Sequence, residues 1–287
     1  MSWMCILFNG DFVLVETEIS FSLLMSVYGK DSPEAFRDAL YSVKHSTIKP
    51  SELCLVIDGE ISGHLQDVID EYKNHIEMNL VRLVTNVGLG KALSEGLSHC
   101  KYEWVARFDS DDVCHSTRFE KQLLFISKNQ SVDIVGSWIG EFENDPNDSH
   151  AIKKTPVGHQ EIVKCAKSRN PFNHMTVMYK KTAVLAAGGY QDDYLYEDYA
   201  LWVRMITNGC LTANIPEVLV YARTGNGMEI RRGGLKYAKS EVKAQYNFYE
   251  IGFLSIAELV RNLAIRVPVR LLPGSVRKFI YRKTLRR

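Results

Sequence analysis

Four adjacent positions, Asp109-Ser110-Asp111-Asp112, follow the apolar, aromatic-bearing stretch Trp104-Val105-Ala106-Arg107-Phe108. A buried strand that ends in clustered carboxylates presents hard oxygen ligands at the edge of a sheet. That is a donor set for Mg²⁺ or Mn²⁺ held against a diphosphate. Adjacent carboxylates repel one another unless a cation neutralises them, which is a physical reason to expect a metal. The alternative is a solvated acidic loop, with Arg107 offsetting part of its charge. A second acidic pair, Glu197-Asp198, opens an amphipathic segment whose Leu201, Trp202 and Met205 can pack inward. Acids in a first helical turn complement the helix dipole. His174, after Asn170-Pro171, is a candidate metal ligand or phosphate contact, against the commoner reading of a hydrogen-bonded structural histidine.

Gly88-x-Gly90-Lys91 is not a P-loop. Ala92 follows the lysine, and no glycine stands five residues before Gly90. It reads instead as a loop entering a helix, with Asn86, Gly88, the helix N-terminus and Lys91 facing a nucleotide. Arg223, Arg231 and Arg232 lie in or beside the glycine-rich stretch 224–234. That stretch is expected to be a lid whose arginines grip a diphosphate.

The elements that must position these groups alternate. Strands are predicted at Phe21–Val27, Leu53–Ile57, Leu80–Val84, Glu103–Phe108, Asp133–Trp138, Met175–Tyr179 and Leu219–Ala222. Between and after them, helices are predicted over Ser32–Ser46, Leu65–Asn74, Lys91–His99, Ser116–Lys128, Lys180–Ala187, Glu197–Asn208 and Lys236–Tyr249. Continuous apolar strands alternating with amphipathic helices imply an α/β fold with a mainly parallel sheet covered on both faces. Ligands bind such sheets outside the carboxyl ends of the strands. Polar residues stand at those ends here: Tyr28-Gly29-Lys30-Asp31, Asp58-Gly59, Asn86-Val87-Gly88 and Asp109–Asp112.

The chain has 287 residues, 46% hydrophobic and 24% charged, a globular composition. No apolar run is long enough for a transmembrane helix, and no signal peptide is read at the N-terminus. None of the six cysteines forms a C-x-x-C pair, so free thiols in a reducing compartment are expected and zinc is not. The net charge of +1 conceals an asymmetry: residues 259–287 hold nine of the 35 Lys and Arg and none of the 34 Asp and Glu. Cations interleaved with apolar residues suit an anionic membrane surface; a solvated tail or a nucleic-acid contact is the alternative. Pro268 and Pro273 are expected to break any long helix there.

The motifs in order, Ser26-Val-Tyr-Gly-Lys-Asp31, Leu55-Val-Ile-Asp58-Gly59, Asn86-Val-Gly88-Leu-Gly-Lys91-Ala92, Asp109-Ser-Asp-Asp112, Asn170-Pro-Phe-Asn-His174 and Tyr196-Glu197-Asp198-Tyr-Ala-Leu-Trp202, resemble the inverting family 2 glycosyltransferases of the GT-A (nucleotide-diphosphosugar transferase) fold. The resemblance is greatest to bacterial enzymes of O-antigen and exopolysaccharide assembly. It implies that Asp58 accepts from a uracil ring flanked by Val27 and Tyr28, with Asp31 on the same donor site. It assigns Asp109 and Asp111 to ribose and metal, Asp111 being the better metal ligand. It makes Asp198, with Glu197, the general base, leaves Trp202 to the acceptor, and leaves Asp112 either to support the site or to address the acceptor.

The expected organisation is an N-terminal extension over 1–19, a catalytic domain over 20–235 and C-terminal helices with a basic tail over 236–287. The catalytic domain divides into a nucleotide half, 20–138, and an acceptor half, 139–235. The expected activity is metal-dependent transfer of a hexose from a UDP-sugar to GlcNAc- or GalNAc-diphospho-undecaprenol, peripherally at the cytoplasmic face of the bacterial inner membrane. Glucose in β-1,3 linkage is the first choice, galactose the second, and nucleic acid is not an expected partner. Rival readings are a sugar-phosphate nucleotidyltransferase and a non-catalytic sugar-nucleotide or membrane-binding module. The first wants a longer glycine-rich signature after the first strand than Tyr28–Asp31 supplies.

Overall fold

The computed structural model describes residues 19–225 and 233–273 in full, and of the first 18 residues the strands β1 (Trp3–Phe8) and β2 (Asp11–Glu16). Those two strands pair antiparallel as a hairpin, forming a two-stranded sheet of their own. The segment read from sequence as an N-terminal extension thus contains a β-ribbon.

Among the described residues a nine-stranded sheet forms the centre. Its strands are β3 (Phe21–Tyr28), β4 (Glu52–Asp58), β5 (Met78–Leu83), β6 (Trp104–Arg107), β7 (Val113–Cys114), β8 (Ile134–Phe142), β9 (Ala151–Lys153), β10 (Met178–Lys180) and β11 (Thr212–Arg223). Their order is β5-β4-β3-β6-β10-β8-β11-β7, with β9 beside β8. The four strands of the first half run parallel. Parallel pairing requires crossovers, and α1 (Pro33–Lys44), α2 (Gly63–Tyr72) and α3 (Leu89–His99) supply them. In the second half β10 inserts antiparallel between β6 and β8, and β8 pairs in parallel with β11. The sheet is thus mixed.

The period-two alternation of buried strands separates two cores. Leu23, Met25 and Val27 of β3 and Leu53, Leu55 and Ile57 of β4 face α1, α2 and α4 (Arg118–Lys128). Leu24, Cys54 and Val56 face the other way, towards α3, α5 (His159–Ala166), α6 (Lys181–Ala186) and α7 (Glu197–Thr207). Ser32 caps α1, accepting from the Ala35 amide with Pro33 in the first turn, as its side-chain chemistry favours. A 3₁₀ turn, His174–Thr176, replaces the first part of the strand expected at Met175–Tyr179, and β11 is longer than expected.

Two C-terminal helices, α8 (Leu235–Glu250) and α9 (Ile256–Leu271), pack on each other, and α8 packs on α7. Pro268 lies inside α9 instead of breaking it. It falls in the last turn, so the single N–H bond that it removes, to the Ala264 carbonyl, comes where the helix is about to end, and Pro273 follows the helix end. Arg266 and Arg270 on either side are tied to Glu241 of α8 at 2.5 and 3.1 Å. Among the described residues no helix is long and apolar enough to cross a membrane. Cys54, Cys100, Cys114, Cys165 and Cys210 are free thiols.

Candidate active site

Strand β6 carries the first half of the site. Its last residue, Arg107, is buried, and its carbonyl accepts from Nη2 of the fully buried Arg118 at 2.7 Å. The Arg107 guanidinium pairs with Asp109, while its Nε and Nη1 have no partner. The chain then turns through Asp109–Asp112 into β7. Carboxylate oxygens of Asp109, Asp111 and Asp112 lie within 4.8 Å of one another. Burial, followed by the charges of Asp109 and Asp31, pushes the Asp111 carboxyl up to about 6. Burial, then the charges of Asp109 and Asp111, raises Asp112 well above the ordinary carboxylate range.

Arg223 at the end of β11 clasps this turn. Its amide donates to Asp112 Oδ1 at 2.9 Å, its Nε to the Asp111 carbonyl at 3.0 Å, and its Nη2 to Asp38 at 2.9 Å. Arg223 is therefore a buttress and not the diphosphate grip expected from sequence. Asp112 Oδ2 is buried with no partner. A buried lone oxygen among three crowded carboxylates is where a divalent cation would restore both charge balance and coordination. The donor set fits Mg²⁺ or Mn²⁺.

Asp31 adds a fourth acid from the exit of β3. Its Oδ2 accepts from Ser110 Oγ at 2.9 Å and from the Tyr28 amide at 3.1 Å, so the residue between the two triplet aspartates locks the turn to the neighbouring strand. Tyr28 is exposed at that strand end. Val27 is not available to a base: its side chain lies wholly in the core, because alternation along β3 turns it inward. Asp58 is also nearly buried. It accepts from the Val87 amide at 2.8 Å, the Gly88 amide at 3.1 Å and Asn86 Nδ2 at 3.0 Å. Its carboxylate thus organises the 86–88 loop, a role the sequence reading missed. Gly59 beside it has φ +84°, and a Cβ there would stand 2.6 Å from the Asn86 amide nitrogen. Lys91 pairs with Asp192 at 3.3 Å, both more than half exposed, so its ammonium points to the loop before α7.

The second half of the site is the start of α7. Asp198 Oδ2 accepts from Asn170 Nδ2 at 2.6 Å, so the Asn170-Pro171 motif serves to orient that carboxylate. Burial, then the charge of Asp198, pushes the Glu197 carboxyl up to about 7. The entry to α3 touches this helix, since a Cβ on Gly90 would stand 3.1 Å from Glu197 Cβ. Leu195, two residues before Glu197, adopts φ 68°, a conformation that costs a non-glycine residue about 1–3 kcal/mol. No local signal marks that strain.

Arg107 joins the halves. Its charge lowers the pKa of Asp111 and Asp112 on one side and of Glu197 on the other. The acids some 90 residues apart in sequence thus share one buried cation.

Two expected site residues fall elsewhere. His174 is outside the carboxylate cluster: its Nε2 lies 2.9 Å from Tyr190 Oη, and burial, with Arg107 nearby, drives its pKa well down. It is a neutral hydrogen-bonded imidazole. Trp202 is 1% exposed and packs on Phe172, His174 and Tyr179, because the inward stripe of α7 carries it into the core. Arg231 and Arg232, and with them most of the expected lid, lie outside the described residues, as does the basic stretch 274–287.

Known proteins resemble this chain over most of its length. The model for glycosyl transferase family 2 matches residues 22–185. The chain is 45% identical over 267 residues to the UDP-Gal:alpha-D-GlcNAc-diphosphoundecaprenol beta-1,3-galactosyltransferase of Escherichia coli, covering 93% of this chain and 97% of the relative. It is 37% identical to the amylovoran biosynthesis glycosyltransferase AmsE of Erwinia amylovora, over 92% and 98%. Among solved structures, Staphylococcus aureus TarS 1–349 with UDP-GlcNAc superposes with a TM-score of 0.65 at 16% identity, over 92% of this chain and 74% of that one. The mannosyltransferase PcManGT of Pyrobaculum calidifontis, with GDP-Man and Mn²⁺, gives 0.63 at 14%, over 92% and 75%. These likenesses carry the GT-A fold. With a family model spanning more than half of the chain and relatives above 30% identity along nearly their whole length, this protein belongs to glycosyl transferase family 2.

Proposed function

We propose that this protein transfers galactose from UDP-galactose, in β-1,3 linkage, to a GlcNAc-diphosphate carried on an undecaprenol-type lipid. The observation that carries the reading is the 45% identity, over almost the full length of both chains, to an enzyme named for that reaction. Galactose therefore replaces glucose as the donor hexose.

The reaction is a displacement at the anomeric carbon. The acceptor hydroxyl oxygen bonds to that carbon, the bond to the β-phosphate oxygen breaks on the opposite face, and the hydroxyl proton passes to a carboxylate. Asp198 takes that proton, oriented by Asn170, while Glu197 sets the local charge. Asp109, Asp111 and Asp112 would hold Mn²⁺ or Mg²⁺, which supplies neutralisation of the leaving diphosphate. Asp31 supports that cluster through Ser110. Tyr28 and the loop shaped by Asp58 lie towards the nucleobase. A lipid-linked acceptor puts the enzyme at the cytoplasmic face of the inner membrane, attached peripherally.

The test is transfer to a synthetic GlcNAc-diphospho-lipid with UDP-galactose or UDP-glucose, with and without Mn²⁺, and NMR of the product linkage. UDP-galactose is expected to exceed UDP-glucose in kcat/KM by at least about tenfold. Equal or better use of UDP-glucose overturns the donor. Nucleotide binding without any transfer would support the non-catalytic module.

A further inference from the structure

We infer that the outward face of α9 seats this protein on an anionic membrane surface. The inference rests on the lipid-linked acceptor proposed above and names the surface that meets the lipid. The exposed positions of α9 recur at i, i+1, i+4, i+5 and i+8 from 256 and cover about half of the helix surface; among them Ile256, Val260, Ile265 and Leu271 are 59, 59, 61 and 53% exposed. Ala257, Ala264 and Pro268 fill the face between them. Its one charge is Arg261. The single acid of α9, Glu258, lies off this face and pairs with Lys167 at 3.0 Å. An apolar stripe about 24 Å long on a surface helix of a globular protein is unusual.

Charge selects the occupant. The neighbouring helix α8 exposes Lys236, Lys239 and Lys243, against one exposed acid, Glu250, together with Tyr246 and Tyr249. Residues 274–287, which follow α9, add six cations and no acid. Apolar stripe, interfacial tyrosines and flanking cations are the composition that binds in the plane of an anionic bilayer. Arg266 and Arg270 take no part, since both are spent on the buried Glu241. Of the nine cations at 259–287, these two are therefore withdrawn from the membrane-facing set.

The seat also adjoins the chemistry. Arg270 Nη2 lies 3.3 Å from the hydroxyl of Tyr196, the residue before Glu197. A protein lying on α9 holds the start of α7 close to the membrane, where the head of a lipid-linked acceptor projects.

The experiment compares full-length protein with a Val260→Glu/Ile265→Glu double variant in co-flotation with phosphatidylethanolamine–phosphatidylglycerol vesicles. Leu185→Glu, at an exposed apolar residue of α6, is the control, and far-UV circular dichroism reports folding. Partitioning of the double variant is expected to fall about tenfold or more, with Leu185→Glu unchanged. Transfer to a vesicle-embedded GlcNAc-diphospho-lipid falls with it, while transfer to a short-chain, water-soluble GlcNAc-diphosphate is retained.

A double variant that floats like the parent, with binding lost only when the six cations of 274–287 become Gln, overturns the inference in favour of the tail. A parent that fails to float overturns it, as does a parent dimer that the double variant dissociates without any vesicle binding. The expected flotation pattern without transfer to either acceptor supports the seat and rejects the proposed reaction.

Discussion

Asp198 is held by an amide. Asn170 donates to one of its oxygens and the Tyr199 amide to the other, which fixes the orientation of the carboxylate proposed to take the acceptor proton. Asp198→Asn is expected to lower kcat by about 10²- to 10⁴-fold while UDP binding, followed by calorimetry, stays near that of the parent. Glu197 adds a pH dependence. Its carboxyl is pushed up to about 7, so kcat/KM should rise with pH through about 7 as the pair loses its proton. Glu197→Gln should move that limb to lower pH. Stability runs the opposite way. A carboxyl whose pKa is raised on folding holds its proton more tightly in the native state. The stability it contributes is present below the unfolded value near 4.5 and is lost as pH rises through about 7. The Tm advantage of Glu197→Gln over the parent should therefore be larger at pH 8 than at pH 5.

At the scale of elements, the site is a set of strand exits tied to one another. Ser110 ties the β6 turn to the exit of β3, Asp58 ties β4 to the loop before α3, and Arg223 ties β11 to the β6 turn. Asp111→Asn is expected to weaken Mn²⁺ binding by calorimetry and abolish metal-dependent transfer, without loss of the fold. Gly59→Ala attacks one tie. The added Cβ meets the Asn86 amide nitrogen at 2.6 Å in a left-handed conformation. A loss of about 1–3 kcal/mol in urea unfolding is expected, together with weaker UDP binding as the 86–88 loop shifts.

Across the whole molecule, the C-terminal helices reach the residue before α7 through a buried charge. Glu241 of α8 is fully buried and meets Arg266, Arg270 and the Tyr196 hydroxyl. Removing the acid leaves two partly buried cations without that carboxylate. Glu241→Ala is expected to cost about 3–5 kcal/mol in chemical denaturation, whereas Arg261→Ala on the exposed face of α9 stays within about 0.5 kcal/mol. A small effect of Glu241→Ala would mean that the helices are joined by apolar packing alone.

Much of this was legible in the chain. Apolar alternation with turn residues at each strand exit was enough for the α/β class and its first four strands, because hydrophobic periodicity and capping are local. The acidic turn at 109–112 and the pair at 197–198 were legible for the same reason, as clustered like charges that a fold tolerates only for cause. What each residue touches was not local. The inward turn of Val27 and Trp202, and the satisfaction of Asp58 by its own loop, follow from which side of a strand or helix meets a neighbour. The hydrogen bond of His174 to Tyr190 likewise depends on contacts set by packing. The antiparallel insertion of β10 depends on a pairing partner remote in sequence. Only tertiary packing could place Arg107 between two acidic groups some 90 residues apart, or withdraw Arg266 and Arg270 from the basic tail. A charge in sequence declares its sign, but its partner is chosen by the chain that folds beside it.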